Sequence, residues 1–235
     1  MRWPLLAVLL LIVPQVAAAD ARLIEAFDRV AFGTGLPWAR ERLLRIEEPQ
    51  VRIDVYGEAS PARLAVLETL ADDLGDLTGI AVEVTASDAP APAFGKPVSG
   101  VAEFQLHLVA PGAFPSLLDQ SWIPEQTRRV GARSLCSFVT RGRETIRGAL
   151  ILIDATLPEA TIRQCLVEET AQAFGAIDDT TLLDPSAFND WGRLVDRLQA
   201  DDKALVAALY DPRLKAGMTR PEVLALLPAI LGGQP

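Results

Sequence analysis

Residues 165–175 carry side chains that could do chemistry on one face of a predicted helix. Ile162, Leu166, Glu169 and Gln172 follow one another at spacings of three and four residues, so they share a helix face. An ionised carboxylate is costly to bury, so a glutamate on such a face usually has a structural or functional role. It could act as a general base, and carboxylate and amide oxygens could bind a hard cation such as Ca²⁺, Mg²⁺ or Mn²⁺.

The spacing in this segment resembles the motif of metzincin peptidases, in which two histidines one helical turn apart bind zinc together with a third, more distant ligand. With Gly175 on the motif glycine, Glu169 falls on the catalytic glutamate. The resemblance implies a zincin-like domain that lacks the zinc-binding histidines, with Glu169 as the catalytic candidate. Glu168, Gln172 and Asp178 fall on the three ligand positions, and the expected cleft comprises Glu168, Gln172, Asp178, Ser186 and Asn189.

Zinc prefers imidazole and thiolate ligands, which these positions do not offer. The one histidine of the chain, His107, lies in an alternating segment typical of a strand, which favours an ordinary structural role. We therefore predict no metal and no cofactor. The alternative is a hard cation on Glu168, Gln172 and Asp178, which offer only oxygen. For Glu169 itself, a buried carboxylate held by hydrogen bonds is the alternative to catalysis.

A wider resemblance covers most of the chain after the leader. Residues 165–175, 186–190 and 209–218 look like an exported bacterial family of unknown function, the domain-of-unknown-function family 2927, which is a lipoprotein-type family. This chain departs from its lipoprotein members because it has no lipobox cysteine. The resemblance implies an exported, zincin-like domain and does not imply an activity.

The first nineteen residues have the features of a secretory signal peptide: a basic start, an apolar run and a small-residue exit before Asp20. We predict cleavage near Ala19 and a periplasmic or secreted protein, with an uncleaved membrane anchor as the alternative. Removing this segment takes away Arg2 and no acid, which makes the chain one unit more negative than its full-length charge of −9. This charge argues against nucleic acid as a partner, and no later segment has the length and hydrophobicity of a stable transmembrane span.

The pattern of apolar residues predicts an α+β fold, a twisted sheet with packed helices and a helical C-terminal subdomain. The family resemblance implies that this mixed sheet is zincin-like. The expected division is a signal peptide over 1–19, a helical extension over 20–48 and one domain over 49–235. The two cysteines, Cys136 and Cys165, are predicted to form a disulfide, with two free thiols as the alternative. The principal predicted strands span 51–56, 80–84, 104–109, 135–140 and 146–153, and the principal helices span 21–31, 60–77, 158–174, 191–198, 201–210 and 220–231.

These features predict a non-catalytic binding or structural module of the cell envelope, with a peptide or an envelope protein as its partner. The alternative is a peptidase-like hydrolase that uses Glu169 as general base, either without metal or with a hard cation. A purely structural envelope component without a cleft ligand is the third possibility.

Overall fold

A five-stranded sheet forms the centre of the protein, and helices pack against both of its faces. The computed structural model describes residues 20–33, 40–95 and 98–232. The strands are β1 (Gln50–Gly57), β2 (Ala81–Ser87), β3 (Val101–Val109), β4 (Cys136–Arg141) and β5 (Gly148–Asp154). The helices are α1 (Ala21–Phe32), α2 (Pro61–Thr78), α3 (Phe114–Leu118), α4 (Glu125–Gly131), α5 (Glu159–Gln172), α6 (Ala200–Leu209) and α7 (Arg220–Leu231), with a 3-10 turn at Pro111–Ala113.

The strands are arranged in the order β2-β1-β3-β5-β4. β1 is parallel to β2 and β3, and β3 is parallel to β5. β4 is antiparallel to β5, with Cys136 opposite Ile153, and lies at one edge of the sheet. The α+β class predicted from the sequence, a mixed sheet with packed helices and a helical C-terminal part, is confirmed. The predicted signal peptide lies outside the described residues.

Alternate residues of the central strands divide the core between the two faces of the sheet, as the period of a strand requires. On one face, side chains such as Ile53, Phe104 and Ile151 pack with Leu67 of α2 and Leu166 of α5. On the other face, β5 contributes the side chains that contact the segment between β3 and β4, and that smaller cluster comprises Phe114, Leu118, Ile123, Leu150 and Leu152. The larger cluster holds α5 in place and thereby positions its polar residues.

The C-terminal helices are bound to the N-terminal segment rather than standing apart. Arg220 pairs with Asp28 of α1 at 2.6 Å. The Arg45 guanidinium donates to the carbonyl oxygens of Leu209 and Leu214 at 3.0 and 3.1 Å. The Tyr210 hydroxyl donates to the Phe174 carbonyl at 2.7 Å, so this network reaches the residues just after α5. The segment predicted as an extension over 20–48 therefore shares the main core.

The predicted disulfide between Cys136 and Cys165 is confirmed. It joins the edge strand β4 to the middle of α5, with the two Cα atoms 6.1 Å apart. A disulfide fits a protein that is exported into an oxidising compartment. Over the part of the chain that the structure describes, every helix is too short or too polar to cross a bilayer.

The helix predicted over residues 191–198 is wrong, because these residues form turns and extended backbone. Side-chain oxygens accept hydrogen bonds from three backbone N–H groups of this segment and hold it in a non-helical conformation. The pairs are Trp191 N with Asn189 Oδ1 at 3.1 Å, Arg193 N with Asp184 Oδ1 at 3.0 Å and Val195 N with Gln164 Oε1 at 2.7 Å. This irregular segment lies beside α5 and helps to form the site described below.

Gly175 sets the path of the chain after α5. Its φ is 120°, and an added Cβ would lie 2.3 Å from the backbone oxygen of Leu44. We expect Gly175→Ala to lower the free energy of unfolding by about 1–3 kcal/mol, because strain and the backbone contact act together. Urea unfolding measures this change. Gly112→Ala is the control, since a Cβ there meets no atom within 4 Å of the described chain. Equal effects of the two substitutions would contradict the prediction.

A carboxylate cluster as the candidate functional site

The polar residues of α5 lie inside the protein, because the helix is enclosed by the sheet on one side and by later loops on the other. Glu168, Glu169 and Gln172 are 4%, 6% and 4% exposed. Gln164, one turn before Glu168, is also buried. Carboxylates that are this deeply buried need compensating partners, so the residues of α5 itself and of the loop that follows it decide their state.

Two aspartates from that loop meet Glu168. Glu168, Asp179 and Asp190 each offer a carboxylate oxygen, and the three oxygens lie within 4.8 Å of one another. Glu168 is buried, Asp179 is half-buried and Asp190 is exposed, so the group extends from the interior to the surface. We call these three residues the carboxylate cluster.

Two glutamine side chains brace the carboxylate cluster from within α5. Gln172 Nε2 donates to Asp179 Oδ1 at 2.7 Å. Gln164 Nε2 donates to Glu168 Oε2 at 3.2 Å, while Gln164 Oε1 accepts from the backbone N–H of Val195 at 2.7 Å. The amides therefore fix the orientation of two carboxylates and attach the loop to the helix.

Burial and mutual repulsion raise the pKa of these carboxyl groups. For Glu168, burial is the main cause of the raised pKa, followed by a hydrogen bond to Asp190 and the charges of neighbouring acids. Burial, with the charges of Asp190 and Asp178, raises the pKa of Asp179 to about 7, although hydrogen bonds from Glu168 and Gln172 act in the opposite direction.

Glu169 is the second deeply buried acid of α5. Burial raises its pKa well above the ordinary value, and the charges of Asp179 and Asp190 add to the shift. Among the described residues, no group donates a hydrogen bond to its carboxylate. Glu169 is thus a buried acid on which the charges of Asp179 and Asp190 act, and none of the described residues donates a compensating hydrogen bond to it.

The predicted cleft residues divide into two groups. Glu168, Glu169 and Gln172 lie in or beside the carboxylate cluster. The aspartate whose carboxylate meets Glu168 is Asp179, the residue after the predicted Asp178. Asp178 Oδ1 accepts from the Asp179 backbone N–H at 2.9 Å, which gives Asp178 a place in the turn.

Ser186 and Asn189 shape the loop rather than line the carboxylate cluster. Ser186 Oγ donates to Asp202 Oδ1 at 2.6 Å and accepts from the Phe188 N–H. Asn189 Nδ2 donates to the Leu183 carbonyl at 2.7 Å. Both side chains are buried, and their bonds fix the backbone that presents Asp190.

Sequence reasoning missed Gln164, Asp179 and Asp190. Gln164 precedes Glu168 by four residues, so helical spacing could have identified it as a partner. The two aspartates lie in irregular backbone, where no periodic signal indicates which side chain turns inward. His107 lies outside the carboxylate cluster: its ring stacks on Tyr56 with a centroid distance of 5.1 Å, and burial lowers its pKa to about 4.

A surface pocket adjoins the N-terminal end of α5, opposite the end that carries Gln172. Its volume is about 640 Å³, and it contains apolar side chains together with charges of both signs. Val195 belongs to this pocket, and its N–H binds the same Gln164 that contacts Glu168. The lining residues include Arg163, Arg193, Leu194, Val195, Asp196 and Arg197.

Comparisons with known proteins identify one family and several similar solved structures, which include two of myroilysin. "Structure of myroilysin" has 11% identity and a TM-score of 0.33, covering 72% of this chain and 97% of that chain. "Crystal structure of myroilysin" has 10% identity and a TM-score of 0.32, covering 86% of this chain and 97% of that chain. No curated protein matches. The description "Protein of unknown function (DUF2927)" matches residues 20–229, so the chain belongs to this family.

Proposed function

We propose that this chain is an exported, zincin-like binding domain without catalytic activity, and that it binds a peptide segment of an envelope partner. The supporting observation is the surface pocket beside α5. Its volume of about 640 Å³ lies within the range of ligand-binding pockets. The pocket is also connected through Gln164 to the carboxylate cluster, so ligand contacts and the polar interior of α5 share one scaffold.

The chemistry of the pocket suits a peptide. Leu194 is 56% exposed at the pocket, and Trp191, three residues earlier, is 76% exposed. Tryptophan is enriched among the residues that carry most of the binding energy of interfaces, and Leu194 extends the apolar surface beside it. Arg163 and Arg193 contribute positive charges to the pocket. Arg163 pairs with Glu159 of the pocket, whereas Arg193 pairs with Asp184 outside it. A peptide, with its polar backbone and mixed side chains, can contact charges of both signs.

The residues of α5 support a domain without zinc-peptidase chemistry. Glu168 and Gln172 occupy the positions where the resemblance expects histidine. Both cysteines are bonded to each other, and His107 lies on the sheet. The donors near Glu169 are therefore oxygens, which zinc uses less readily than nitrogen and sulfur.

The proposal is tested by selecting binders from a random peptide library and measuring their affinity for variants. We expect Leu194→Asp to weaken binding at least about tenfold, because a buried anchor contributes about 1.4 kcal/mol or more. Val130→Asp is the matched control, since Val130 is an equally exposed apolar residue on α4. A library that yields no binder, or binders that respond equally to both substitutions, would contradict the proposal.

A hydrolase is the second candidate, and the raised pKa of Glu169 favours it, because acid–base residues of enzymes often have perturbed pKa values. If the protein is a hydrolase, the wild type hydrolyses a fluorogenic peptide library. Glu169→Gln then lowers the rate of hydrolysis at least about 100-fold while the variant stays folded. A wild-type protein without hydrolysis would refute this candidate. Failure of both the binding and the hydrolysis assay is the result expected of a purely structural envelope component.

A further inference from the structure

We infer that the carboxylates of Glu168, Asp179 and Asp190 bind a hard divalent cation such as Ca²⁺ or Mn²⁺. This inference goes beyond peptide binding and does not depend on it, because the surface pocket and the carboxylate cluster are separate sets of side chains.

The distances within the carboxylate cluster match those between ligands of one ion. Hard cations bind oxygen at about 2.1–2.6 Å, so two oxygens on the same ion lie at most roughly 5 Å apart. The three oxygens of the carboxylate cluster lie within 4.8 Å of one another. They come from one helix and two parts of a loop, which lets them surround a common point rather than line one surface.

Glu169 provides an independent reason for a cation. The residue is 6% exposed, its carboxylate is acted on by the charges of Asp179 and Asp190, and no described residue donates a hydrogen bond to it. Ionising a carboxylate in such surroundings is costly without a positive charge, which is why burial raises its pKa. A cation at the carboxylate cluster would supply that charge to Glu169 and to the three ligands together.

The neighbours of the carboxylate cluster act as outer partners of metal ligands usually do. Gln172 donates to Asp179, and Gln164 donates to Glu168, so each amide orients a ligand without competing for the ion. Asp190 is exposed, which gives an ion access from solvent. Because the nearby donors are oxygens, the site selects against zinc.

The inference is tested on full-length mature protein stripped with EDTA and titrated separately with Ca²⁺, Mn²⁺ and Mg²⁺. We expect one cation to bind and to raise Tm by about 5 °C or more when its concentration is about a hundred times Kd. Asp190→Asn should weaken that affinity at least about tenfold. Asp196→Asn, an acid of the same loop outside the carboxylate cluster, is the matched control and should change affinity less than twofold.

A second measurement locates the ion independently of affinity. Tb³⁺ is a luminescent substitute for Ca²⁺, and Trp191 is adjacent to Asp190, so excitation of this indole should sensitise Tb³⁺ emission. Trp191→Phe should remove most of that emission and leave the cation affinity within twofold of wild type. No shift of Tm with any of the three cations, or equal affinities of Asp190→Asn and Asp196→Asn, would overturn the inference.

Discussion

Asp202→Ala is expected to lower the free energy of unfolding by roughly 3–5 kcal/mol, because it removes the acceptor of two buried donors, at about 1–3 kcal/mol each, and of one part-buried donor. The Asp202 carboxylate is fully buried. It accepts from Ser186 Oγ at 2.6 Å, from the Ala187 N–H at 2.9 Å and from the Gln199 N–H at 2.9 Å. One side chain thus caps α6 and anchors the loop that presents Asp190.

Urea unfolding of wild type and variant measures this change, with Asp201→Ala as the control. Asp201 is the adjacent acid, and it forms a surface pair with Arg22 at 2.9 Å. Such an exposed pair is worth only about 0–1 kcal/mol. If both substitutions cost the same, the internal bonds of Asp202 are not what holds the loop.

Glu168→Gln is expected to stabilise the cation-free protein at pH 8 and to flatten its pH profile. Because burial raises the folded-state pKa of Glu168, the folded protein keeps a proton that the unfolded chain releases above about pH 4.5. The contribution of Glu168 to the free energy of unfolding is therefore fully present below about pH 4.5. It is lost as pH rises, by up to about 1.4 kcal/mol per pH unit. Asp179 adds a decline that ends near its folded-state pKa of about 7.

A neutral amide at position 168 avoids the cost of ionisation and can still accept from Gln164. Chemical unfolding in EDTA at pH 5, 6, 7 and 8 measures the profile. Glu159→Gln is the matched control on the same helix, because hydrogen bonding to Arg63 lowers the pKa of Glu159 and predicts a loss rather than a gain. Wild-type stability that stays constant or rises from pH 5 to pH 8 would contradict the prediction.

Local signals explain why much of the fold could be predicted from the sequence. Ser60 accepts from the Arg63 N–H and Pro61 begins α2, as a serine followed by proline predicts. The alternation of β1 and the short connection between β4 and β5 gave the correct strands and pairing. The order of the five strands could not be read, because it depends on crossovers between distant segments.

The site was harder to predict than the fold. The buried acids of α5 were visible as a break in helical periodicity, and Glu168, Glu169 and Gln172 followed from it. Counting along the motif predicted Asp178 as the third ligand position. In the structure it is the next residue, Asp179, whose carboxylate belongs to the carboxylate cluster. A shift of one residue in irregular backbone changes which side chain faces inward, and residue type alone carries no information about it.

The disulfide has a consequence for the maturation of the protein. Cys165 precedes Glu168 by less than one helical turn, and its bond to Cys136 fixes this part of α5 to the edge of the sheet. In a reducing compartment the bond does not persist, and noncovalent packing alone holds the helix there. Covalent fixation of the acidic helix therefore requires oxidising conditions, and the final assembly of this part of the protein depends on the redox state of its surroundings.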